Sequence, residues 1–223
     1  EGHLRHIIYE SNKDSFAYEI YKDLLSGGYS VAKVWTDYQS PMSFNQQIFL
    51  SRVFDPTMAG FDPMARAPHK GDGKYSFEIY PMLEEDFKLE FPSVDMSKFK
   101  FTMVSQGGGI EGFSWSYKDL QNRKCILVAD YYEKKRKKVR IVQLANGRVL
   151  TTKDYEKLQE YWQENQFIEQ IPAVIGEPRS TILERVCRYR IVECEILDYL
   201  ETDYCYLPHV FFDGNSIMLT QGT

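Results

Sequence analysis

The sequence predicts an α+β fold, with mixed and antiparallel sheets and a few short helices. Runs rich in β-branched and aromatic residues, such as 29–38 and 124–133, read as strands. Helical spacing is confined to short stretches, Phe16, Ala17, Ile20, Tyr21, Leu24 and Leu25 in one and Tyr155, Leu158 and Trp162 in another. Aromatic residues make up 15% of the chain, with 16 Tyr and 14 Phe, which calls for a well-packed core or a large contact surface.

The elements follow in order. Ser11-Asn12-Lys13-Asp14 resembles a capping box, and Gly27-Gly28 stops the helix it would open. Residues 29–38 and 47–54 read as neighbouring strands joined by a turn around Ser40-Pro41. Two copies of one tripeptide follow, Phe54-Asp55-Pro56 and Phe61-Asp62-Pro63. A residue before proline is pushed out of the helical region and Asp favours a local side-chain turn, so Asp55, Pro56, Asp62 and Pro63 read as rigid structural turns. The breakers Pro68, Gly71 and Gly73 mark 66–73 as a surface loop. Residues 84–91 read as a short helix ended by Pro92, with Glu84, Glu85 and Asp86 where acids favour a helix N-terminus.

In the second half, 124–133 and 139–144 read as strands flanking Lys134, Lys135, Arg136, Lys137 and Lys138, a layout that suggests a β-hairpin with a basic tip. Asn146-Gly147 is a strong turn dipeptide, and Thr151 or Thr152 caps the helix carrying Tyr155, Leu158 and Trp162. Residues 181–198 form one strand-like run, longer than the ordinary ~5–6 residues, that would bend across two sheets or extend as an arm. Asp213-Gly214-Asn215 closes the last strand. The glycine-rich loop at 107–112 marks a boundary, giving regions 1–110 and 111–223.

The chemistry is sparse. Gln106-Gly107-Gly108-Gly109 is a loop or hinge, because neither GxxxxGK[ST] nor GxGxxG is present. There is no GxSxG elbow, and the four His are isolated. Asp55 and Asp62 could pair on a metal for nuclease work, but each is wedged before a proline, where a turn is the better role. Cys125, Cys187, Cys194 and Cys205 make no CxxC pair and read as reduced thiols, three of them in strand-like runs. The expectation is therefore no catalytic residue, no metal and no cofactor. No apolar run approaches the ~20 residues that span a bilayer, and no signal peptide opens the sequence. The chain reads as a piece of something longer.

Net charge is −5, so any nucleic-acid contact must be local or weak. The basic run 134–138 is either a solvated tip or a sequence-blind contact for DNA or an acidic partner.

One succession of segments carries more than its parts. It runs from Val34-Trp35-Thr36-Asp37-Tyr38 through Arg52-Val53-Phe54-Asp55-Pro56 and Phe61-Asp62-Pro63 to an acidic helix ending Phe91-Pro92. It continues with Val128-Ala129-Asp130-Tyr131-Tyr132-Glu133 before the basic segment, then Leu207-Pro208-His209-Val210 with Asp213-Gly214-Asn215. This order resembles the portal (head–tail connector) proteins of short-tailed phages and their prophage relatives over nearly the whole chain, as an internal fragment. The resemblance implies a structural role in a dodecameric ring at one capsid vertex. That ring is a conduit for DNA packaging and ejection which docks terminase, tail adaptor and capsid proteins. Double-stranded DNA would pass non-specifically, no membrane would be involved, and the protein would sit in the virion and, during assembly, in the host cytoplasm. Residues 1–110 would be a wing-like α+β region, and 111–223 a strand-rich region toward stem and clip, with the basic hairpin and one helix. By itself the fragment is expected to be a monomer or small oligomer. The rivals from other classes are a nucleic-acid-binding module and a metal-dependent nuclease fragment.

Overall fold

The computed structural model describes residues 2–11, 13–103, 114–164, 173–193, 195–202 and 204–214. In chain order the elements are α1 (Gly2–Glu10), α2 (Lys13–Gly27), β1 (Tyr29–Tyr38), β2 (Gln46–Arg52), β3 (Ala59–Phe61), β4 (Tyr75–Leu83) and α3 (Glu84–Glu90). They continue with β5 (Thr102–Met103), β6 (Ser116–Lys118), β7 (Lys124–Leu144), β8 (Val149–Thr151), α4 (Thr152–Glu164), β9 (Val174–Val192), β10 (Glu195–Glu201) and β11 (His209–Asp213). The α+β class stands. The boundary expected near 107–112 falls outside the described residues. The chain's contacts group it into one unit of Glu1–Lys134 with Val186–Thr223, and a second of Lys135–Arg185.

The first unit holds two sheets. One is three-stranded and antiparallel in the order β11-β1-β2, with Lys33 opposite His209 and Trp35 opposite Phe49. The other runs β10-β9-β7-β4-β3, with β6 on β7 and β5 on β6. Helix α2 ends as its sequence suggests. The Gly28 N–H donates to the Leu24 carbonyl at 3.0 Å, and Gly28 adopts φ +71°, a left-handed conformation that glycine takes without a Cβ penalty. Ser11 accepts the Leu50 N–H of β2 at 3.0 Å, tying the helical pair to the sheet; Asn12 and the Asp14 side chain of the expected capping box lie outside what is described.

Among the described residues, apolar burial in this unit falls into three clusters. Phe87, Phe91, Ile126, Val128 and Val192 form the largest, where α3 packs on β7 and β9. Val31, Val53 and Phe211 form the second, and Tyr132, Val186 and Leu207 the third. The amphipathic pattern of α3 explains its place: Phe87 is fully buried while Glu85, Asp86 and Leu89 face water. Burying one such side chain contributes ~1.5–3 kcal/mol.

The second unit is built from 135–144 of β7, β8, α4 and 174–185 of β9. Its hairpin differs from the expected one. The basic run 134–138 lies in the middle of the 21-residue strand β7, and the tip belongs to Asn146-Gly147. There Gly147 takes φ +80° and donates to the Leu144 carbonyl at 2.9 Å, while Asn146 Oδ1 accepts the Arg148 N–H. The physical reason is turn chemistry: 133–139 contains no Gly, Pro, Asn or Asp to reverse the chain. Like charges tolerate a strand because successive side chains point to opposite faces. Residues 181–198 are likewise not one strand. The chain reverses after Val192, with Glu193 at φ +53°, and β10 returns antiparallel on β9 with Glu195 opposite Val192. Thr151 caps α4 by accepting the Asp154 N–H at 3.2 Å and donating to the Asp154 carboxylate at 2.6 Å.

Candidate functional site

The most elaborate polar arrangement in the first unit is a buried charge cluster where its two sheets meet. Glu78 of β4 and Asp130 of β7 are direct cross-strand partners, so two carboxylates stand side by side on one face. Left alone they would repel. Lys33 of β1, from the other sheet, inserts between them: its Nζ lies 3.3 Å from Asp130 Oδ2 and is ion-paired with Glu78. The second Asp130 oxygen accepts Arg190 Nε of β9 at 3.2 Å, and Arg190 pairs in turn with Glu90 of α3. His209 of β11 sits beside Lys33 in register, its Nδ1 2.8 Å from Ser76 Oγ and its ring edge-on to Tyr132. Its Nε2 lies 3.8 Å from Glu78 Oε2, an electrostatic approach rather than a hydrogen bond.

The electrostatics follow from this geometry. Burial opposes the Lys33 charge, but Tyr132, Glu78 and Asp130 overcome it and raise the ammonium above the usual lysine value. Burial pushes the Glu78 carboxyl up, yet His209 and Lys33 outweigh it and hold it at about 2. Asp130 goes the other way: burial, aided by the Glu78 charge, raises it despite Lys33. A depressed carboxyl stabilises the fold above its unfolded pKa of ~4.3, and that contribution is lost as pH falls through the folded value. Asp130, raised, works in the opposite sense over its own range. Glu78→Gln is therefore expected to flatten the loss of stability between pH ~4.3 and about 2. Urea unfolding at a series of pH values checks this; an unchanged slope would contradict it.

A cleft of about 590 Å³ opens over the cluster, walled by Lys33, Trp35, Asp130, Arg188, Arg190 and Tyr204 among others. Its cations are engaged in the fold: Arg188 pairs with Asp198 at 2.9 Å, and Arg52 holds Asp23 through two nitrogens at 2.5 and 2.8 Å.

The tripeptide aspartates sit at turns. Asp55 Oδ1 accepts the Thr57 N–H at 3.0 Å and opens a single 3-10 turn with Pro56 at its first position. Asp62 is buried and accepts the Met64 N–H at 2.9 Å on one oxygen and the Lys74 N–H at 3.0 Å on the other, closing the 62–74 loop ahead of β4. Those backbone donors lower its pKa. Pro63 follows directly in that turn. No group of three or more His, Cys, Asp or Glu able to hold a metal occurs among the described residues.

The basic residues are spread along β7. Lys134 Nζ donates to the Gly71 carbonyl at 2.5 Å within the first unit. In the second unit Arg136 pairs with Glu184 of β9 at 2.6 Å, and Arg136, Lys137 and Lys138 are exposed while Lys135 is half-buried. Sequence reasoning missed the Lys33–Glu78–Asp130–Arg190 cluster. Its signal was a lone charge inside each of two strongly apolar strand segments, Val31-Ala32-Lys33-Val34 and Leu127-Val128-Ala129-Asp130.

Two comparisons with known proteins bear on this arrangement. The Phage P22-like portal protein family matches residues 1–218. The portal protein of Acyrthosiphon pisum secondary endosymbiont phage 1 is 30% identical over 140 residues, covering 61% of this chain and 18% of that relative. The match thus spans about a fifth of the curated relative's length.

Proposed function

The chain belongs to the family of P22-like phage portal proteins, and from that premise we propose that it is a structural part of the portal ring at one vertex of a phage capsid. The observation that carries the reading is the family match over residues 1–218. In this reading the complete protein forms the conduit for DNA during packaging and ejection and docks terminase, tail adaptor and capsid proteins. It works in the virion and is assembled in the host cytoplasm.

The chain's physical chemistry supports that role. A net charge of −5 suits a body that lets a polyanion slide past, where a strongly basic one would hold it. The cations lining the first unit's cleft, Lys33, Arg52, Arg188 and Arg190, are engaged in ion pairs that tie strands and helices together. Asp55 and Asp62 accept backbone N–H groups at turns, as a structural role asks of them.

Interrupting the complete gene in its phage or prophage tests the proposal. The expected result is heads that assemble but contain no DNA, restored by the intact gene supplied in trans. DNA-filled, infectious particles from the interrupted gene would overturn it.

A further inference from the structure

The second unit, Lys135–Arg185, shows little apolar burial among its described residues. Among its described residues only Val142 and Leu144 are buried, and α4 buries none. Meanwhile Val149, Ile175 and Ile182 are 55%, 56% and 66% exposed, and every residue from 174 to 180 is exposed. Exposed apolar side chains gathered in one small unit call for a covering surface.

Charge narrows what covers it. Residues 135–185 hold ten Lys or Arg and seven Asp or Glu, a net +3; the whole chain carries −5, so the remaining residues carry −8. A polyanion would match the net positive charge, but a phosphate backbone offers no apolar surface to Val149, Ile175 and Ile182. An acidic protein surface satisfies both. A second copy of this chain supplies one, by the same count.

Symmetry narrows it further. Two second units meeting each other about a two-fold axis would bring like charge against like. A contact between the basic unit of one copy and the acidic surface of another is head-to-tail, and head-to-tail contacts close into rings when the rotation allows.

We propose that the second unit is the element by which one portal copy grips the acidic surface of the next copy in the ring, through Lys135, Lys137 and Lys138 with Val149, Ile175 and Ile182. This rests on the ring reading given above, and it assigns the basic run to a protein partner rather than to DNA.

The test uses the complete portal protein, co-assembled from equal parts of unlabelled and ¹⁵N-labelled copies and treated with a zero-length carbodiimide cross-linker before mass spectrometry. The expected result is mixed-isotope cross-links from the lysines of 135–157 to Asp or Glu of 1–134 or 186–223, sharply reduced at high salt. A Lys135→Glu/Lys137→Glu/Lys138→Glu variant, shown folded by circular dichroism, should lower the yield of rings at least tenfold. Rings that form normally while these lysines cross-link only within single-isotope copies overturn the proposal and leave the ring reading intact. Ultraviolet cross-links from these lysines to packaged DNA, with no mixed-isotope pairs, overturn it in favour of a nucleic-acid contact. Unmodified protein that never forms a ring on light scattering removes the ring reading itself.

Discussion

Replacing Lys33 by Ala is expected to lower the unfolding free energy by about 3–5 kcal/mol, the usual cost of breaking a buried ion pair by removing one partner. The cause is specific. Lys33 is the cation drawn from one sheet to sit between Glu78 and Asp130 of the other, and its loss leaves two adjacent carboxylates buried. Arg190 still covers Asp130, so Glu78 becomes the uncompensated charge. A second substitution separates charge from packing. Lys33→Met with Glu78→Leu removes both members of that pair and keeps Arg190 on Asp130, so the double variant should be more stable than Lys33→Ala by about 2 kcal/mol or more. Urea unfolding of the three proteins measures this directly. A loss under about 1 kcal/mol in the single variant would mean the cluster is solvated in the manner of a surface pair.

Phe87→Ala should cost a similar amount, about 3–5 kcal/mol, as large-to-small changes of buried aromatics do. Phe87 is fully buried, with Phe91 at 5.2 Å and Phe99 at 5.8 Å between ring centroids, in the cluster that joins α3 to Ile126 and Val128 of the sheet. The strand residues Ile126 and Val128 of β7 form part of the cavity's wall and cannot move in to fill it. Phe87→Leu, which refills most of the volume, should lose less than half as much. Equal losses for Ala and Leu would show that ring contacts rather than volume set the cost.

How far the sequence anticipated this structure depended on whether the deciding interaction was local. Helix α2 with its Gly28 stop, β1, α3 and the Asn146-Gly147 turn were all legible, because spacing, caps and turn residues lie within a few positions of one another. Strand β4 is not legible in the same way. It carries Pro81, which argues against a central strand. The structure accommodates Pro81 because β3 pairs only with Ser76, Phe77 and Glu78, so β4 is free of that neighbour farther along. The basic run suggests a tip because five like charges imply exposure, which a turn provides. In the strand, Arg136, Lys137 and Lys138 are exposed while Lys134 and Lys135 are half-buried, so charge reaches solvent without a turn.

The charge cluster was illegible for a different reason. Lys33 and Asp130 are 97 positions apart, and Ser76 and His209 are 133 apart. Nothing local says that a lysine in one apolar strand neutralises an aspartate in another. Yet Asp130 and His209 both fall in the segments that carried the portal resemblance, Val128–Glu133 and Leu207–Val210. The order of short segments was therefore informative before their contacts were.

Electron microscopy of the complete portal protein, purified without capsid or tail, tests the central claim most directly. Membership of a portal ring predicts closed rings with an axial hole wide enough for a DNA duplex, in which these 223 residues occupy equivalent positions in every subunit. Particles that stay monomeric or dimeric at every protein concentration, with no central hole, would contradict it.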